Sequence, residues 1–204
     1  DALQAVGELP VPKWIRTKAE EIDNDRFHTI YAKNEGAVAT PAAGLHFSRE
    51  LFKRMEIRDV NSAFLTLHMG LGHFRKVDVE DLSKHKMDSE QMVITEETAD
   101  LINSTKAAGN KVFAVGITVI RALETPVTTK AEVKPYVGWT NKFIFPPYQF
   151  AVADALVTNF HMPLSTMLMS VAAFGGFDNV MNAYKVALKE GYQFGTYGDA
   201  MLII

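Results

Sequence analysis

The sequence predicts an α/β fold in which flanking helices cover a mixed, partly parallel sheet. Three observations point there. Apolar, β-rich runs alternate along the chain with segments of helical periodicity. The run Lys111-Val-Phe-Ala-Val-Gly116 is almost continuously apolar, as a strand covered on both faces must be. The composition, 48% hydrophobic and 22% charged over 204 residues, is that of a chain with enough apolar surface for a sizeable core without disulfide or metal staples.

Taken in order, residues 1–35 read as a lead-in segment and 36–204 as the α/β domain. The lead-in carries Pro10 and Pro12, then a charged stretch from Lys18 to Arg26 expected to form a short polar helix ending near Tyr31. Ser48 is placed to cap a helix reaching Arg58, with Glu50 in its first turn and Leu51, Phe52 and Met55 as its apolar face. Residues 63–69 alternate and predict a strand that stops at Gly70 and Gly72. Thr95, with Glu96 and Glu97, opens a helix carrying Ala99, Leu101 and Ile102 and closed by Gly109-Asn110. After the strand at 111–116, residues 125–135 read as a mobile polar loop. Residues 143–145 and 155–158 are further strand candidates. Asp178 is expected to cap a last helix whose face is Val180, Tyr184, Ala187 and Leu188, with Gly191 ending it.

Composition excludes several classes of function. There is no cysteine, hence no disulfide scaffold, thiolate metal site or cysteine nucleophile. No apolar run approaches the roughly 20 residues that span a bilayer. A net charge of −3 argues against a protein held to nucleic acid mainly by phosphate contacts. The basic clusters Arg49, Lys53, Arg54, Arg58 and Arg75, Lys76, Lys84, Lys86 read as solvated surface. Five histidines (His46, His68, His73, His85 and His161) sit in or beside strands and glycine turns, which invites a metal-hydrolase reading. Their spacing does not support it, because there is no His-Glu-x-x-His or His-x-His. Nucleotide-binding glycine motifs are also absent.

What remains is three polar clusters at the ends of apolar strands: residues 41–47 with His46, residues 115–124 with Thr118, Arg121 and Glu124, and residues 154–166 with Asp154, Asn159, His161, Ser165 and Thr166. Open α/β sheets bind ligands beyond the carboxyl ends of their strands, so these clusters are candidates for one cleft. Each could equally be a cap or a satisfied core polar group.

The same stretches carry a family resemblance. Gly36-Ala-Val-Ala-Thr-Pro-Ala-Ala-Gly-Leu-His-Phe47, Thr66-Leu-His-Met-Gly-Leu-Gly-His-Phe74, His85-Lys-Met-Asp-Ser-Glu90, Asp154 through Ser165 and Tyr197-Gly-Asp-Ala-Met201 occur in the order found in the S-adenosylmethionine:tRNA ribosyltransferase-isomerases of queuosine biosynthesis. The chain resembles that family from about Gly7 to Met201. Members are longer, so the resemblance implies that an N-terminal segment and most of an inserted β-barrel domain lie outside this sequence, residues 1–35 following the barrel.

The implied reaction moves the ribosyl group of S-adenosylmethionine to 7-aminomethyl-7-deazaguanine at the tRNA wobble position. The group is isomerised to give epoxyqueuosine, with adenine and methionine released. The implied partners are S-adenosylmethionine and tRNA with a GUN anticodon. No membrane, no metal and no cofactor beyond the co-substrate are implied, and the setting is cytoplasmic. A base must remove a proton beside the sulfonium and an acid must help adenine leave, tasks that suit His46, His68 and His161. Asp154 or Glu124 would orient an imidazole or balance the sulfonium. Arg121 would grip the methionine carboxylate by a bidentate contact. Thr118, Asn159, Ser165 and Thr166 would bond ribose hydroxyls or the adenine edge.

Four places depart from the family pattern. Gly116-Ile-Thr-Val-Ile-Arg121 stands where Gly-Thr-Thr-Ser-Val-Arg is usual. Asp88 replaces the histidine of Met-His-Ser-Glu, His73 replaces a threonine before Phe74, and Phe145-Pro-Pro147 replaces a Tyr-Pro-Gly turn. These departures keep a second reading open: a diverged member that binds S-adenosylmethionine or RNA with altered or lost catalysis.

Overall fold

The computed structural model describes residues 6–9, 11 and 20–204, so Pro10 and Pro12 lie outside the described residues. The chain forms two small sheets with helices against them. In the first, β1 (Thr66–Leu67), β2 (Glu90–Ile94) and β4 (Tyr136–Thr140) run antiparallel, in the order β1-β2-β4. In the second, β3 (Phe113–Val115) lies parallel to β5 (Ala155–Asn159), and β6 (Ala200–Ile203) returns antiparallel to β5. This is the mixed, partly parallel sheet expected of the sequence.

Several helices form where local chemistry predicts them. Ser48 caps α2 (Arg49–Ile57), its Oγ accepting the Leu51 N–H at 3.1 Å, and Thr95 caps α3 (Glu96–Ala107) through the Thr98 N–H at 3.2 Å. The last helix, α6 (Phe177–Glu190), ends at Gly191, whose φ of 78° is the left-handed conformation glycine adopts at little cost. Its start differs from expectation. Gly176 holds the cap position and Asp178 lies in the first turn, favouring the helix dipole rather than capping it. Leu188 is 67% exposed, so the buried face is Val180, Tyr184 and Ala187 alone.

Other expectations are corrected by backbone groups being claimed elsewhere. The strand at 63–69 shrinks to Thr66–Leu67. The Phe64 carbonyl accepts the Thr98 hydroxyl at 2.8 Å, and the Gly70 N–H is donated to the Glu90 carboxylate at 3.0 Å, so neither joins a ladder. Residues 143–145 form no strand, for Pro146 and Pro147 supply no N–H and the Ile144 carbonyl accepts the Ser170 hydroxyl. Residues 125–135 are pinned rather than loose: Val133 is buried, and Asn103 both accepts its N–H and donates to its carbonyl, each at 2.9 Å. Among the described residues of the stretch from Lys18 to Tyr31 the helix is α1 (Asp23–Arg26), Lys18 lying outside them. Beyond it Phe27 turns in to meet Tyr197 edge-on, while the buried Asp23 accepts the Tyr197 hydroxyl at 2.9 Å.

The organising element is α4 (Ile117–Leu123), which the sequence reading passes over. Ile117, Thr118, Val119 and Ile120 are a β-branched run of poor helix propensity. Burial overrides propensity here. Ile117 and Ile120 pack with Leu156, Phe160, Val171 and Tyr184 over the second sheet, beneath α5 (Thr166–Gly175) and α6. Ala122 and Leu123 pack with Met92, Ile94, Ala99 and Val152 over the first. One short helix thereby closes two cores. No helix among the described residues is long and apolar enough to cross a membrane.

Glu124, just beyond α4, is 1% exposed. One carboxylate oxygen accepts the Ala151 and Val152 N–H groups at 3.0 and 3.1 Å, and the other accepts the Tyr148 hydroxyl at 3.1 Å. It ties residues 148–152 to the helix. Replacing it orphans buried backbone donors, so Glu124→Ala is expected to lower the unfolding free energy by about 3 kcal/mol. Denaturant midpoints check this, and a loss below about 1 kcal/mol would show that the segment is held by other contacts.

Candidate functional site

A cleft of about 1030 Å3, mouth included, opens beyond the carboxyl ends of β3 and β5. All three polar clusters reach it. Ala42 and Ala43 come from a 3-10 turn (Ala42–His46) that Pro41 precedes, Gly116, Ile117, Thr118 and Arg121 from the start of α4, and Thr158, Asn159, His161 and Met162 from the exit of β5. Local sequence explains the approach. Gly44 lies so close beneath the Tyr31 hydroxyl that no Cβ fits. Gly116 has φ of 99°, which turns the chain from β3 into α4.

Two buried polar atoms in this cleft have no partner. Arg121 is 5% exposed; its Nη1 donates to Glu90 Oε2 at 2.7 Å and its Nε to the Lys142 carbonyl at 2.9 Å, but its Nη2 bonds nothing. Thr40 Oγ1 is likewise buried and unpartnered. Buried polar groups are nearly always satisfied, so two orphans on residues lining one cleft make Arg121 and Thr40 candidates for ligand contact.

Among the residues singled out from sequence, Arg121, Thr118, Asn159, His161 and Thr166 line the cleft. Thr118 Oγ1 lies 3.4 Å from Met69 Sδ. Asn159 is 2% exposed and spends its Nδ2 on the Gly195 and Gly198 carbonyls at 3.0 and 3.2 Å. Its Oδ1 is therefore an acceptor, and His46 Nε2, 3.2 Å away, must be the N–H donor. His46 reaches the cleft only through this amide, on an otherwise exposed ring.

The other candidates lie elsewhere. Asp154 precedes β5, at the opposite end of the strand. It is exposed, accepts the Val112 N–H at 2.8 Å and stands 3.5 Å from Lys106 Nζ, so it orients no imidazole. Glu124 is consumed by residues 148–152, as above. Ser165 caps α5, accepting the Leu168 N–H and donating to the Met162 carbonyl. His68 lies beside β1 with its ring packed over Gly36, where a Cβ would come within 2.7 Å of Nδ1.

Three residues that line or brace the cleft went unselected. Thr40 sits within the motif ending at Phe47. Glu90 closes another motif and joins Arg121 to the Gly70 N–H. His73 lines the cleft from the turn at 71–74. Their motifs were visible, but which atoms face inward depends on tertiary contacts. No group of three or more acidic or histidine side chains among the described residues could hold a metal ion.

Both cleft imidazoles are neutral at pH 7. Burial, with the charge of neighbouring His73 added, lowers His161 to about 3. Burial and then the Arg121 guanidinium lower His73 to about 4. His161 Nε2 is 2.8 Å from Thr158 Oγ1, and its backbone N–H donates to the Tyr184 hydroxyl at 2.8 Å.

The chain matches the family described as queuosine biosynthesis protein over residues 1–203. It is 64% identical over 204 residues to the S-adenosylmethionine:tRNA ribosyltransferase-isomerase of Bacteroides fragilis, covering all of this chain and 58% of that protein. To the protein of that name from Parabacteroides distasonis it is 62% identical over 203 residues, again spanning 58% of its length. A crystal structure of an S-adenosylmethionine tRNA ribosyltransferase from Thermotoga maritima matches with a TM-score of 0.65 at 41% identity, over 79% of this chain and 51% of that one.

The depressed histidines carry a consequence for stability. Unfolded, each ring gains a proton as pH falls through about 6.5, whereas folded it resists to about 4 or below. The unfolded state binds more protons in that window, so the stabilisation is complete above pH 6.5 and is lost as pH falls toward 4. Unfolding free energies measured from about pH 7 down to 4.5 should fall by about 1 kcal/mol per pH unit for each histidine. The double variant His73→Gln, His161→Gln should flatten the profile. An unchanged slope would contradict the burial assigned to the rings.

Proposed function

The chain belongs to the queuosine biosynthesis protein family, and from that membership we propose that its cleft binds S-adenosylmethionine and transfers the ribosyl group to 7-aminomethyl-7-deazaguanine in the wobble position of tRNA, with isomerisation to epoxyqueuosine. The chain spans 58% of the length of the curated relatives it matches, so the activity is proposed for a polypeptide of their full length. The observation that carries the reading is the pair of unpartnered buried atoms, Arg121 Nη2 and Thr40 Oγ1, in a cleft whose polar contents otherwise carry no net charge.

Electrostatics favour a cationic nucleoside. The Arg121 charge is balanced by Glu90 and the two imidazoles are neutral, so a sulfonium meets no net positive charge. Phe27, Phe74, Phe143 and Met167 supply apolar wall for a purine and a thioether chain. Arg121 Nη2 donates to the methionine carboxylate, and Thr118, Thr166 and Asn159 stand where ribose hydroxyls or the purine edge need partners. Neutral His161 is in the base form. Having taken the proton from the carbon beside the sulfonium, it becomes an acid far below pH 7, able to hand that proton to adenine as the glycosidic bond breaks. His46, its Nε2–H held by Asn159, is the second proton carrier at the rim. The tRNA presents its anticodon loop splayed, the target base unstacked, as single-stranded RNA is read. The tRNAs are those with GUN anticodons.

A second reading, a member that binds S-adenosylmethionine or RNA without turnover, is favoured by Ile117, an aliphatic side chain lining the cleft where the family pattern has a hydroxyl.

One assay separates the two. The full-length polypeptide is incubated with S-adenosylmethionine and tRNA carrying 7-aminomethyl-7-deazaguanine, and released adenine is measured chromatographically. Adenine should appear only with tRNA, and His161→Ala should slow its release roughly 10²- to 10⁴-fold. Arg121→Lys, which removes the planar fork while retaining charge, should weaken S-adenosylmethionine binding about tenfold or more. Binding without adenine release would establish the second reading.

A further inference from the structure

His73 combines three features that no packing role requires. It lines the cleft, and neither ring nitrogen has a hydrogen-bond partner among the described residues; its ring meets the edge of Phe74 at 5.3 Å. His73 is half-buried, and no residue of the turn that carries it (Leu71–Phe74) is fully buried, so an apolar core does not explain the turn's conformation. Polar contacts hold it instead. The Gly70 N–H is donated to Glu90 Oε1 at 3.0 Å, the Val77 N–H to the Leu164 carbonyl at 2.7 Å, and Arg75 forks onto both oxygens of Asp88 at 3.1 and 2.9 Å. Gly72 lies so close against the Asp88 carboxylate that no Cβ fits. Such bracing fixes a side chain in place for contact with something else.

We propose that His73 is a ligand-contacting residue of the cleft, hydrogen-bonding the nucleoside that Arg121 and Thr40 also hold. The inference rests on the S-adenosylmethionine reading above. A neutral imidazole offers one donor and one acceptor, the pattern that a purine edge or a ribose hydroxyl can meet. The groups facing it are Arg121 from α4, backed by Glu90 of β2, and His161 from the exit of β5; Asp88 and Arg75 pair with each other beside its turn. Asp88 adjoins Gly72, next to His73, and its carboxylate fastens the turn.

The test is calorimetric titration of S-adenosylmethionine into the full-length polypeptide and its His73→Ala variant, with melting temperatures recorded beside. The expected result is an affinity loss of roughly tenfold or more at an unchanged melting temperature. If the loss comes with a lowered melting temperature, the conservative variant His73→Asn, which keeps one donor and one acceptor, decides: affinity within about threefold of the unaltered polypeptide supports the contact, and a loss equal to that of His73→Ala overturns it. Wild-type affinity in His73→Ala overturns the proposal while leaving the S-adenosylmethionine reading intact. No binding by the unaltered polypeptide overturns both.

Discussion

The buried ion pair between Glu90 and Arg121 is the contact on which the cleft depends. Glu90 opens β2 of the first sheet at 3% exposure; Arg121 lies on α4, which follows β3 of the second at 5%. Their 2.7 Å contact ties the two sheets together at the edge of the cavity. Taking both charges out of water is expensive, and an apolar pair of similar volume would often be as stable. The pair is therefore better understood by what it positions. The second Glu90 oxygen holds the Gly70 N–H, hence the turn bearing His73, while the guanidinium also holds the Lys142 carbonyl and leaves Nη2 without a partner.

Around that pair the chain repeatedly gives up local preference for placement. Four β-branched residues form α4 because that helix must present apolar side chains to both cores while its polar groups face the cleft. The exit of β5 is organised in the same way. Asn159 spends its whole amide on His46, Gly195 and Gly198, and the 195–198 loop reaches through Tyr197 to the buried Asp23 of the lead-in. A continuous polar network thus runs from the first described helix to the carboxyl end of the sheet. Local conflict with a satisfied global network is the pattern expected where function, not folding, sets the residue.

The cleft's chemistry follows from exclusion of water. Burial strips the charge from His73 and His161, and Glu90 neutralises Arg121, so the cavity is rich in hydrogen-bonding groups yet nearly free of net charge. Such a site suits a cationic nucleoside better than a polyanion. Under the proposed function, RNA phosphates would need contacts outside it, in keeping with a chain of net charge −3.

Much of this was legible in the sequence, and for stated reasons. Caps at Ser48 and Thr95, the glycine stop at Gly191 and the apolar strand at 113–115 are set by contacts within a few residues, which is the range over which sequence pattern acts. The motifs likewise identified the family and brought Arg121, Thr118, Asn159, His161 and Thr166 to one cleft. Strands β2, β4 and β6 and helix α4 were not anticipated, because a buried Glu90 at a strand start and a β-branched run inside a helix make sense only beside their partners. The same limit separates Asp154 and Glu124 from the site. A carboxylate next to a strand looks available in sequence, and only the fold decides that one lies at the wrong end of β5 while the other is spent on backbone N–H groups. Whether a polar side chain is satisfied or left facing a cavity depends on residues far away in the chain. Sequence by itself therefore determined the family, the fold class and the candidates, and tertiary structure alone decided which of their atoms remain free for a ligand.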